Sequence, residues 1–188
     1  MASFQQRIAG VLQLQPATFE EIEHDASAIQ QAAIVVGAAA LAKGLGLFPY
    51  LGLFALRYFI YTLVFAFIGW VVGSAVLWAV GTKAMPGKNT EADILQMMRV
   101  TGFSQAPAIL SIFWIIPFLG WLISLVGSIW SLVCIVVAVR QALEYDDTVK
   151  AIIVVVIAWV AMVAVMMLAG LVAGVGMGVG MGMGGRYY

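Results

Sequence analysis

The side chains able to do chemistry fall into two small groups between long apolar runs. The first is charged: Glu91, Asp93 and Arg99, then Arg140, Glu144, Asp146 and Asp147. Carboxylates placed together can act as general acids and bases, so any chemistry on a lipid headgroup would have to come from Glu91, Asp93, Glu144, Asp146 or Asp147. Arg140 and Glu144 are four apart, the spacing of one helical turn, and Arg99 is expected to meet Glu144 or Asp146. With no nucleophile or metal motif beside them, these seven residues form a candidate docking rim for a partner protein. The second group is Gly102, Ser104, Gln105 and Pro107, at the start of GFSQAPAILSIFWIIPFLG. Proline lacks an N–H, which frees the carbonyl one turn back. In lipid such a carbonyl needs a polar neighbour, so these four residues are a candidate polar pocket at a helix bend.

Other reactive types are sparse. His24 is the single histidine and Cys134 the single cysteine. His24 stands beside Asp25 among glutamates, and a metal site needs several ligands. Cys134 lies in an apolar run and reads as a small buried hydrophobe. No HExxH, GxSxG, phosphate-binding glycine loop or CxxC pair occurs. The expectation is a protein without catalytic residues, metal or cofactor.

The elements that must position these groups are membrane spans. Of 188 residues, 64% are hydrophobic and 10% charged, with a mean hydropathy of +1.06; soluble domains carry about 25% charged residues. Crossing a hydrocarbon core takes about 20 residues. That ruler predicts spans at 26–45, 55–80, 99–117, 121–141 and 150–170, an all-α polytopic bundle of about five transmembrane helices. The FPYLG stretch after the first span reads as an interfacial link. The predicted units are an amphipathic N-terminal segment over 1–25, a membrane domain over 26–174 and a Gly/Met-rich tail over 175–188.

Phe4, Ile8, Val11 and Leu12 share one face of a short helix, long enough to lie on a membrane surface and too short to cross it. No cleavable signal is expected there. Pro16 ends that helix, and Thr18 with Glu21 has the spacing of a capping box for the next. Asn89 or Thr90 is expected to cap a helix beginning at Glu91, and Asp147 or Thr148 to cap span five. Gly102 is expected to mark the bend into span three. The glycine-rich tail is expected to fray or hang free, anchored by Arg186, Tyr187 and Tyr188 at headgroup level.

Nine basic and nine acidic residues cancel, so net charge implies no nucleic-acid partner. With the N-terminus in the cytoplasm, six basic residues face inward against three outward, in line with the positive-inside tendency. All nine acidic residues fall on that inner side, and the C-terminus emerges on the outer side. The localisation implied is the inner (plasma) membrane. Polar residues near span centres are uncharged and suit helix–helix hydrogen bonds.

The order of these stretches resembles the bacterial members of the Yip1-domain family. The stretches are GVLQLQPATFEEI before span one, ADILQMMRVTGFSQAPAIL into span three, IPFLGWLISLVGSIWSLVCIVVAVRQAL through span four, and EYDDTVKA opening span five. The resemblance implies about five spans with a cytoplasmic N-terminus and supplies no catalytic residue. Eukaryotic relatives bind small Rab GTPases, a role that the two dozen residues before span one are too short to carry. The expected function is a non-enzymatic scaffold, assembly factor or accessory subunit of a membrane complex. Its partners would be membrane lipids and other integral membrane proteins or a second copy. The alternative is a transporter or channel for a small solute or lipid, using the pocket at 102–107.

Overall fold

A computed structural model describes residues 2–88 and 90–183, with side chains through residue 164. Seven α-helices and no strand form among them. They are α1 (Phe4–Leu12), α2 (Pro16–His24), α3 (Ala28–Leu51), α4 (Ala55–Ala79), α5 (Ile94–Phe103), α6 (Gly120–Ala142) and α7 (Thr148–Met183). A 3-10 turn, Gly52–Phe54, joins α3 to α4, and a π-turn, Val80–Ala84, ends α4. A 3-10 helix, Ala106–Ile115, follows α5. The stretches Ala28–Ala84 and Gly120–Ala142 are long and apolar enough to cross a bilayer, and Thr148–Ala164 adds another apolar helix. The molecule is a helical membrane bundle, with large apolar side chains left exposed along α3, α4, α6 and α7.

Local chemistry sets the helix starts. Ser3 caps α1 in a reciprocal box with Gln6, and Asp93 caps α5 in another with Gln96. The expected cap at Thr90 is not used, since the Thr90 hydroxyl donates to the Leu143 carbonyl at 2.6 Å instead; Asn89 lies outside the described residues. Pro16 opens α2 at its first position, where its fixed φ suits a helix and its missing N–H costs nothing. The proposed Thr18–Glu21 box therefore does not form. Asp147 Oδ1 accepts from the Val149 amide at 2.9 Å at the start of α7.

The amphipathic face of α1 is turned onto the bundle. Val11 is fully buried, Phe4 meets Phe103 edge to face at 6.1 Å, and the Trp130 indole donates to the Leu12 carbonyl at 3.0 Å. Residues of α1, α2, α5 and the last third of α6 form a closely packed core with Ala28, Ala32, Ala151 and Val154. This packed half holds all nine Asp and Glu residues, Glu23 of them buried; we call it the acidic end.

Toward the opposite, bare end the architecture changes. First, α3 continues six residues beyond the expected limit, through Pro49 to Leu51. Proline within the last turn removes a single helical hydrogen bond, whose acceptor would be Leu45. Second, span three is not one helix. After α5 the chain turns at Ser104 and Gln105, then continues as the ten-residue 3-10 helix. The turn falls two residues after Gly102, because Pro107 cannot donate to the Phe103 carbonyl and biases Ala106 away from α geometry. At about 1.5 Å per residue for α5 and about 2.0 Å for the 3-10 helix, the two pieces together cover about 35 Å.

Two glycines make room for this segment. A Cβ at Gly46 of α3 would collide with the Ser111 carbonyl, and one at Gly127 of α6 would lie 2.6 Å from the Pro107 carbonyl. The 3-10 helix is thus held between α3 and α6, backbone against backbone. The α7 backbone stays helical through the glycine-rich stretch to Met183. The proposed anchor at Arg186, Tyr187 and Tyr188 lies outside the described residues.

Candidate functional site

The carboxylates of the charged rim occupy two adjoining loops, one between the π-turn and α5 and one between α6 and α7, while Arg99 lies in α5 and Arg140 in α6. The Thr90–Leu143 hydrogen bond ties them together. The Tyr145 hydroxyl donates to the Met85 carbonyl at 2.6 Å and lies 3.2 Å from that of Gly81, closing the π-turn. The Lys150 ammonium donates to the Pro86 carbonyl at 2.6 Å and lies 4.7 Å from the Tyr145 ring centre. Burial raises the Tyr145 phenol above its ordinary pKa.

On this frame Glu91, Asp93, Glu144, Asp146 and Asp147 are all exposed. None of them forms an ion pair among the described residues, whose two ion pairs both belong to Arg7. The Arg140–Glu144 pairing is absent because α6 stops at Ala142 and Glu144 has a φ of +49°, which breaks the one-turn relation. Arg140 caps its own loop, donating to the carbonyls of Tyr145 at 3.3 Å and Asp146 at 3.4 Å. Arg99 is buried and meets neither Glu144 nor Asp146, donating instead to the Glu23 carbonyl. Burial also raises the Glu23 carboxyl above its ordinary range.

The bend residues separate by role. Gly102 lets α5 approach α3 and α4 closely: a Cβ there would lie 2.7 Å from Ala32 and 3.1 Å from the Trp70 ring. The Trp70 indole fixes the same crossing by donating to the Met98 carbonyl at 2.9 Å. Ser104 is fully buried and donates to the Val100 carbonyl at 2.8 Å. Pro107 is buried against α6. Of the four, Gln105 is the one that lines the large cavity between the helices.

That cavity, about 780 Å³, lies between α3, α4, the 3-10 helix and α6, within the range of small-molecule sites. Its polar lining includes Lys43, Thr62, Gln105, Ser111, Ser124, Ser128 and Ser131; Val36, Ala39, Phe65, Leu132 and Ile135 contribute apolar wall. Sequence reading assigned these serines to helix–helix hydrogen bonds. The span limit expected at residue 45 puts Lys43 at a span end, whereas α3 runs on to Leu51. The signal available was a lysine flanked by apolar residues on both sides.

A second cluster went unseen. The Arg7 side chain is 1% exposed and gathers Glu21 at 3.1 Å, Asp25 at 2.5 Å and Gln31 at 3.0 Å. The Ala2 amide joins at Glu21, 2.7 Å away. Glu21 is held below its ordinary pKa by the Ala2 amide and then by Arg7. Asp25 is held down to about 2 by the Ser27 hydroxyl and then by Arg7. Among the described residues, no three His, Cys, Asp or Glu side chains converge as metal ligands would.

Neither a curated protein nor a solved structure matches this chain. The Yip1 domain matches residues 9–170, from the middle of α1 into α7. The match takes in the acidic end, the bend and the cavity alike, and the chain belongs to the Yip1-domain family of membrane proteins.

Proposed function

We propose that the protein is a non-enzymatic scaffold or accessory subunit of the inner (plasma) membrane, with its N-terminus and acidic end in the cytoplasm. One observation carries this reading: five exposed carboxylates stand unpaired on two loops fastened to each other and to the π-turn. Exposed carboxylates that no cation of the described residues pairs, held on a rigid frame, favour a partner that brings basic side chains to them. The test is extraction of tagged protein in mild detergent, followed by sizing and identification of what accompanies it. A defined larger assembly, lost in an Asp146→Lys, Asp147→Lys variant that still inserts, is the expected result. A bare monomer from both versions sinks the reading.

The cavity favours a second reading, a route for a small solute or lipid, with Gln105 at the bend as a lining residue. Flux through reconstituted liposomes would support it, and a tight bilayer would remove it.

A further inference from the structure

We propose that the cavity is a binding site for one anionic lipid, whose phosphate pairs with Lys43 and takes hydrogen bonds from Ser111 and Ser131. The proposal shares its cavity with the route reading above but requires binding alone, so a failure of flux leaves it standing.

Six serines lie within the bundle helices. Four of them, Ser74, Ser104, Ser124 and Ser128, donate to the carbonyl four residues back, the usual way a hydroxyl is satisfied within a membrane helix. Ser111 and Ser131 do not: their hydroxyls are buried without a partner, and both line the cavity. Ser131 is 6% exposed. A buried donor without an acceptor is costly, and here two such donors share one cavity with a lysine.

Lys43 supplies the charge. It stands eight residues before the end of α3, about 12 Å from the bare end by helical rise. The Cα–Cβ bond of a helical residue tilts toward the N-terminus, which here means away from the bare end and toward the cavity. The other α3 residues lining the cavity, among them Val36 and Ala39, lie on that N-terminal side. Every Asp and Glu side chain lies at the acidic end, and none lines the cavity. A cation within a span needs a counter-charge, and none of the described residues pairs with Lys43. An incoming anion would satisfy the ammonium and both hydroxyls together. The apolar wall of Phe65, Leu132 and Ile135 calls for hydrocarbon attached to that anion.

The test is native mass spectrometry of delipidated full-length protein in detergent. The probes are dioleoyl phosphatidylglycerol, dioleoyl phosphatidylcholine and inorganic phosphate. One phosphatidylglycerol should be retained per chain, in preference to phosphatidylcholine. Lys43→Gln should weaken that retention about tenfold, as loss of a charge-assisted hydrogen bond implies. Lys43→Arg should restore most of it, Ser111→Ala with Ser131→Ala should weaken it several-fold, and Lys83→Gln should not change it. Equal retention of both lipids, or unchanged retention in Lys43→Gln, would overturn the proposal. Equally tight binding of inorganic phosphate would assign the site to a free anion and overturn the lipid.

Discussion

Arg7 and Asp25 are eighteen positions apart in sequence, and their side chains meet at 2.5 Å. With Gln31 on a second guanidinium nitrogen, this contact fastens α1 to the end of α2 and the start of α3. The Arg7 side chain is almost wholly enclosed and Asp25 nearly so, at 1% and 10% exposed. Removing one partner therefore leaves a buried charge short of its counter-charge. Asp25→Asn should destabilise the protein by about 2 kcal/mol, read as a lower thermal midpoint in detergent. Protease sensitivity in α1 should rise as well.

The same contact sets an acid limit. Asp25 titrates at about 2 in the folded protein, against 3.8 ordinarily. Its contribution to stability is therefore complete above 3.8 and is lost as the pH falls from there toward 2. Lowering pH through that window should release α1 in the unaltered protein. Asp25→Asn should flatten this part of the profile.

Glu23 predicts the opposite sign. Burial raises its carboxyl pKa, so the ionised form costs stability at neutral pH. Glu23→Gln should raise the thermal midpoint at pH 7. That advantage should shrink as the pH falls toward the ordinary carboxylate value, where the native residue is protonated as well.

Two glycines should respond to alanine in opposite directions. At Gly127 the new methyl meets the Pro107 carbonyl at 2.6 Å, a backbone atom that cannot move aside. Gly127→Ala should cost about 1–3 kcal/mol through overpacking. At Gly73, in α4, a Cβ meets nothing within 4 Å, and Gly73→Ala should gain about 0.5–1 kcal/mol from reduced chain entropy. Thermal midpoints of the two variants, measured together, check both.

Tyr145→Phe removes the hydroxyl that bonds to the Met85 carbonyl and approaches that of Gly81. Loss of about 1–2 kcal/mol is expected. The distinguishing sign is faster amide exchange confined to residues 80–88, with α3 and the 3-10 helix unaffected.

The contrast between what was legible and what was not follows from range. The α1 face and Asp147 beside the start of α7 are local patterns, and each reappears in the structure; Pro16 does not end α1, which stops at Leu12, but opens α2. Two capping boxes, Ser3 with Gln6 and Asp93 with Gln96, are equally local in the sequence. The limit of span one at residue 45 came from a length rule for bilayers, which takes no account of a helix running on through Pro49. Arg7 could not be read, because its partners lie 14 to 24 residues away on elements whose packing no periodicity encodes. The cavity was hidden for a related reason: Ser128 and Ser131 look alike in sequence, and only the fold shows that one bonds to its own helix while the other does not.

The winding of Ala106–Ile115 has a geometric corollary. Rewound as an α-helix, the same ten residues would be about 5 Å shorter, and their last residue would turn by about half a revolution relative to the first. Gly46 could then no longer face Ser111 while Gly127 faced Pro107. The two glycine notches act as a gauge for pitch, accepting the segment at three residues per turn and rejecting it at 3.6.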